Sequence, residues 1–207
     1  MRGHKSAEFI FLLLTVFIFT SCGNKTSESE SAGAYANNVE ENNLALKEAK
    51  INAWHDNPDG QEFIFDEEGI YIMFPDEDWT LSSQESGCLG FSDETGIINI
   101  YYSDDDGSAY NDAPQNTDDF AEILTDADIS EEWFEIINFD FSENNGIKNY
   151  SYMIKFNIPD DEGNYSEFYS ISKSVCTGSR VYVATGQIYD EKAVSECETA
   201  VNSFAVF

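Results

Sequence analysis

Ile137-Asn138-Phe139-Asp140-Phe141-Ser142-Glu143-Asn144-Asn145-Gly146-Ile147-Lys148-Asn149-Tyr150-Ser151-Tyr152-Met153-Ile154-Lys155-Phe156 is the stretch that decides the fold. Ile137, Phe139 and Phe141 alternate with Asn138, Asp140 and Ser142, a period of two that belongs to a strand with one apolar face. Tyr150, Tyr152, Ile154 and Phe156 repeat the pattern on the far side of Asn145-Gly146. Asn-Gly suits a type I′ turn, because both central residues of that turn take positive φ. The segment therefore predicts an antiparallel hairpin.

The same grammar extends in both directions. Upstream, Phe63-Ile64-Phe65 and Ile70 to Phe74 flank the turn Asp66-Glu67-Glu68-Gly69, and Pro75 ends the second run because it has no N–H for a ladder. Trp79 to Leu81, Cys88 to Phe91 and Ile97 to Tyr102 are further strand candidates. Downstream, Asp160-Asp161-Glu162-Gly163 turns the chain into Tyr165 to Val175, where Tyr165, Glu167, Tyr169, Ile171, Lys173 and Val175 alternate with Ser166, Phe168, Ser170, Ser172 and Ser174. Thr177-Gly178-Ser179 turns it again into Val181 to Ile188. Two segments change period. Phe120, Ile123, Leu124 and Ala127 fall on one helical stripe, with Thr117 as the expected cap and Asp118 and Asp119 at the positive end of the dipole. Ala193, Val194, Cys197, Ala200 and Val201 make a second stripe, capped by Asp190 and followed by a short strand to Phe207. Strands in hairpin order with two or three helices predict an α+β fold, an antiparallel sheet packed with helices.

Gly69-Ile70-Tyr71-Ile72-Met73-Phe74-Pro75 with Trp79, and the ending Val201-Asn202-Ser203-Phe204, are similar to the opening and close of PsbP-like domains. The resemblance covers residues 62–207. It implies an α-β-α sandwich and, in general terms, a binding or accessory role. It assigns no ligand residue.

The amino terminus reads differently. Arg2 and Lys5 precede an apolar run from Phe9 to Phe19, then Thr20-Ser21-Cys22. A bilayer span needs about 20 apolar residues, so this run has the length of an export signal. Residues 1–21 are expected to be a lipoprotein signal peptide, and Cys22 the lipid attachment site. Two acyl chains on Cys22 hold where one holds only marginally, at about 0.8 kcal/mol per buried methylene. The expected location is the outer face of a bacterial cytoplasmic membrane. Residues 22–61 are too poor in apolar side chains to repay ordering and are expected to be a flexible acidic tether, with a short helix over residues 44–54. Residues 62–207 are the expected single domain.

Removal of residues 1–21 leaves 186 residues with 8 basic and 39 acidic side chains, a net charge of −31. Nucleic acid is excluded as a partner, since phosphate contacts need clustered Lys and Arg. An envelope protein or a small cationic ligand remains. Chemistry is sparse. His55 is the single histidine beyond the signal, so triads and clustered zinc ligands have no material. With 39 acids, no catalytic carboxylate pair stands out. Asp104, Asp106 and Asp112, in an acidic loop, are the candidate calcium ligands, although position twelve counted from Asp104 is Gln115 and not the Glu of an EF-hand. Of Cys88, Cys176 and Cys197, the pair Cys88–Cys176 is the favoured disulfide, with Cys197 a buried thiol on a helix. No catalytic residue and no cofactor follow. The reading is a lipid-anchored binding or accessory module, with a carboxylate-based envelope hydrolase and a calcium-dependent surface protein as alternatives.

The tether rests on one thiol. Cys22→Ala is expected to release the protein from the membrane fraction or to block its processing, read by fractionation and immunoblot. Unchanged membrane retention contradicts the anchor.

Overall fold

The computed structural model describes residues 54–159 and 164–207. The expected signal peptide, Cys22, the expected tether as far as residue 53, all but the last residue of the helix expected over 44–54, and the turn expected at 160–163 lie outside the described residues. Within them run β1 (Trp54–Asn57), β2 (Gly60–Phe65), β3 (Ile70–Phe74), β4 (Thr80–Glu85), β5 (Cys88–Ser92) and β6 (Gly96–Asp104). Helices α1 (Ser108–Asn111) and α2 (Thr117–Asp126) follow, then β7 (Phe134–Asn144), β8 (Ile147–Pro159), β9 (Tyr165–Cys176) and β10 (Arg180–Ile188). Helix α3 (Val194–Ser203) and β11 (Ala205–Val206) close the chain. The fold is α+β, as the hairpin order implies. No helix among the described residues is long and apolar enough to cross a membrane.

Seven strands form one antiparallel sheet in the order β4-β5-β6-β10-β9-β8-β7, and four form a smaller one, β1-β2-β3-β11. The large sheet is covered on both faces. One face packs with the small sheet and α3 around Phe63, Ile72, Phe74, Trp79, Phe91 and Val201. The other packs under α1 and α2 around Ala109, Phe120, Leu124, Tyr150, Tyr152 and Phe156. Double burial explains why the serine side of β9 is dry: Ser170, Ser172 and Ser174 are all buried, and Ser172 Oγ donates to the Ala184 carbonyl at 3.1 Å.

The deciding hairpin forms as the pattern requires, with one change. Asn144 pairs with Ile147, and Asn145 and Gly146 hold φ of 53° and 75°, the I′ signature. The register slips between Ile136 and Asn138. Ile137 is the extra residue of a bulge and stands 47% exposed, while Ile136 takes the inward place opposite Ile154. A period-two reading cannot see this, because a bulge moves the phase by one.

Three boundaries also move. Trp54 lies 5.4 Å from the ring centroid of Phe63 and His55 sits opposite Glu62 in β1, so the folded body reaches eight residues before position 62. Asn116 and not Thr117 caps α2, its Oδ1 accepting from the Asp119 N–H at 2.9 Å. Asp190 caps a 3-10 turn over Glu191–Ala193 that leads into α3.

Helix α3 packs on the sheet through Cys197, which lies against Gly186. A Cβ built on Gly186 would stand 2.2 Å from Cys197 Sγ. Gly186→Ala is therefore expected to destabilise by about 1–3 kcal/mol through overpacking, measured by denaturant unfolding. Gly186→Ala combined with Cys197→Ala should cost less than the sum of the two single changes, because the clash is then gone.

Candidate functional site

The acidic loop after β6 is built as a helix cap. Asp105 Oδ2 accepts from the N–H groups of Gly107 at 2.8 Å and Ala109 at 3.1 Å, and its Oδ1 from Ser108 Oγ at 2.9 Å. Asp106 Oδ1 accepts from the Ser108 N–H at 3.1 Å. Asp104 instead meets Arg180 Nε at 3.3 Å, and Asp112 is exposed at the end of α1. Asp104, Asp106 and Asp112 do not converge on a shared point. The density of acids there answers the orphan N–H groups at the start of α1, which a count of EF-hand positions cannot reveal.

Another trio does converge. One carboxylate oxygen from each of Asp76, Asp93 and Glu196 lies within 4.8 Å of the others. Each has a local reason to be there. Asp76 Oδ1 accepts from the Asp78 N–H at 3.0 Å in the β3–β4 loop. Asp93 Oδ1 accepts from the N–H groups of Thr95 at 2.7 Å and Gly96 at 2.8 Å in the β5–β6 turn. Glu196 stands in the first turn of α3, where the helix dipole favours an acid. Three such oxygens could supply only part of the six or more that a hard divalent cation takes. Residues 76, 93 and 196 carry no spacing signal, so sequence reasoning missed them.

The cations tell the opposite story. Among the described residues, 31 acidic side chains face five basic ones, and four of the five are held by a backbone carbonyl or an acid. Lys148, 6% exposed, donates to the Tyr110 carbonyl at 2.8 Å and lies 4.5 Å from the Tyr110 ring centroid. Lys173 donates to the carbonyls of Asn202 and Phe204, each at 2.7 Å, closing the carbonyl end of α3; burial lowers its pKa. Arg180 pairs with Glu68 at 2.6 Å and Lys155 with Glu167 at 3.0 Å. None of the described Asp or Glu side chains is buried. The surface is a field of water-exposed carboxylates with its cations turned inward or bridged.

Among the described residues Cys88, Cys176 and Cys197 are buried and form no disulfide. Cys88 on β5 and Cys176 on β9 are separated by β6 and β10, three strand spacings or about 14 Å, twice the reach of about 7 Å that a disulfide permits. The expected Cys88–Cys176 pair is therefore corrected. Cys197 belongs to the core under α3 and Cys176 to the opposite core, so the sheet lies between them.

No family model matches the chain, and no curated protein matches it. Among solved structures it is similar to the cyanobacterial PsbP of Synechocystis, with 16% identity and a TM-score of 0.49 over 71% of this chain and 92% of that one. It is similar to the Ran-binding protein Mog1p of Saccharomyces cerevisiae, with 10% identity and a TM-score of 0.45 over 70% and 94%. It is also similar to the immunity protein TplEi of Pseudomonas aeruginosa, with 12% identity and a TM-score of 0.39 over 82% and 59%.

Burial pushes the thiols of Cys176 and Cys197 up from 9.0 to about 12, and the Tyr152 hydroxyl from 10.0 to about 12. The folded state holds these groups neutral while the unfolded chain ionises them first. Their contribution to stability is therefore complete below pH 9 and is lost as pH rises toward 12. Two outcomes follow. The thermal midpoint is expected to fall steadily above pH 9. All three thiols should react with a maleimide in denaturant without reductant, and none in the native protein near neutral pH; a missing pair in denaturant would restore a disulfide.

Proposed function

We propose that this chain is a non-catalytic binding or accessory module, held outside the cytoplasm by a lipid on Cys22, whose partner is cationic. The observation that carries the reading is the separation of charge: exposed carboxylates cover the body while Lys148, Lys173, Arg180 and Lys155 are tied to carbonyls or acids. Such a surface repels anionic headgroups and its own copies, so the tethered body stands away from the membrane. It attracts basic partners over about 10 Å at moderate salt and suppresses anionic ones. A basic patch of an envelope protein and a small polyamine share the chemistry that this field recognises.

The hydrolase alternative is less well supported. A general-acid carboxyl is made by burial in a protected cleft, and no described Asp or Glu is a buried residue; Glu68, the one with a buried carboxylate oxygen, is paired with Arg180.

Binding should be electrostatic in its salt response. The intact protein in detergent micelles is expected to bind oligolysine, and raising salt from low to physiological strength should weaken it about tenfold or more. Affinity indifferent to salt, or tighter binding to an acidic peptide, overturns the reading.

A further inference from the structure

Strand β7 ends the large sheet, and among the described residues only β8 pairs with it. It is the longest edge among the described residues. Eleven residues lie in β7, against six in β4, four in β1 and two in β11. Every second residue of an edge strand turns its N–H and C=O outward, a template for another strand. Edges are usually blunted by Lys, by Pro or by a bulge. β7 has no Lys and no Pro, and its bulge at Ile137 leaves Asn138 to Asn144 in unbroken register with β8.

The two faces of this edge differ in chemistry. Phe139 and Phe141 lie on the face under α2, with the Phe139 ring 5.4 Å from Phe120; both remain half-buried because no described strand lies beyond them. The other face is acidic. Glu135 and Asp140 are exposed, and Glu198 of α3 reaches the edge, accepting from Asn138 Nδ2 at 3.4 Å. Lys155 stands opposite Glu135 but its ammonium goes to Glu167 on β9. Ser151 stands opposite Asp140. These carboxylates are thus without a described ion pair and stand on one sheet face beside the line where an eighth strand would run.

We propose that β7 docks an extended segment of a cationic partner protein by strand addition, with apolar residues on the Phe139–Phe141 side alternating with Lys or Arg on the Glu135–Asp140 side. Backbone pairing supplies affinity and the alternation supplies register. A second copy of this chain is disfavoured, since β7 against β7 would set carboxylates opposite carboxylates. The proposal rests on the cationic-partner reading above and narrows it to one edge.

The test uses the intact protein in detergent and a peptide of alternating Lys and Val, about ten residues long to span the edge. Its twin carries N-methyl groups on alternate backbone amides, which leave the charge and remove the ladder. The plain peptide is expected to bind about tenfold or more tightly than the methylated twin and to slow hydrogen exchange between Asn138 and Asn144. Glu135→Lys with Asp140→Lys should weaken it about tenfold, while Glu122→Lys with Asp126→Lys on α2 should leave it nearly unchanged. Equal binding of both peptides, or equal loss in both double variants, overturns strand addition and leaves the cationic-partner reading standing. No binding of either peptide at low salt overturns both. Protection of β7 at high protein concentration without peptide would assign the edge to a second copy and also overturn the proposal.

Discussion

Phe91 is the contact on which the two-sheet body depends. Its ring lies 4.9 Å from Phe63, 4.9 Å from Phe74 and 6.0 Å from Trp54, while Phe74 stacks on Trp79 at 5.1 Å. Phe91 belongs to the large sheet; Phe63, Phe74 and Trp54 belong to the small one. Small sheets are marginal in water. This one persists by burying its aromatic face on a neighbour, each such side chain contributing about 1.5–3 kcal/mol plus the offset and edge-to-face preferences of the rings. At the other end Arg180, at the start of β10, reaches Glu68 in the β2–β3 turn of the small sheet. The apolar contact holds the sheets together, and the half-buried Arg180–Glu68 pair fixes how they meet.

Once the large sheet is covered on both faces, function is pushed to its ends and edges. The two cores take up most of the described aromatic side chains, leaving Tyr165, Tyr189 and Phe207 exposed. What remains outside is carboxylate, a few loops and the rim of β7. The fold therefore separates duties: apolar residues build the body, buried or bridged cations stitch particular joints, and the surplus acids are left to the solvent. Lys173 shows the stitching most clearly. It links β9 to the carbonyl end of α3, where a cation suits the negative end of the helix dipole.

Much of the fold was legible in the chain because hairpin grammar is local. Asn145-Gly146 forces positive φ wherever it sits, and alternation around it names a strand pair. The stripe through Cys197, Ala200 and Val201 names a buried helix face for the same reason. Phase and partners are harder to read. Alternation places Ile137 inward because it carries no mark for a bulge. Acidic, turn-rich neighbours hide Trp54, an aromatic whose contacts are with Phe63, Phe74 and Phe91. An acidic loop and a capping loop share composition, so Asp104 and Asp106 do not declare their role.

Charge, turn chemistry and the α+β hairpin order were readable in one dimension, since each is a property of neighbouring residues or of a sum over them. The convergence of Asp76, Asp93 and Glu196, the separation of Cys88 from Cys176, and the open acidic edge of β7 arose from packing. They depend on which strands lie side by side, and strand order is set by long-range burial of two sheet faces that no local spacing records.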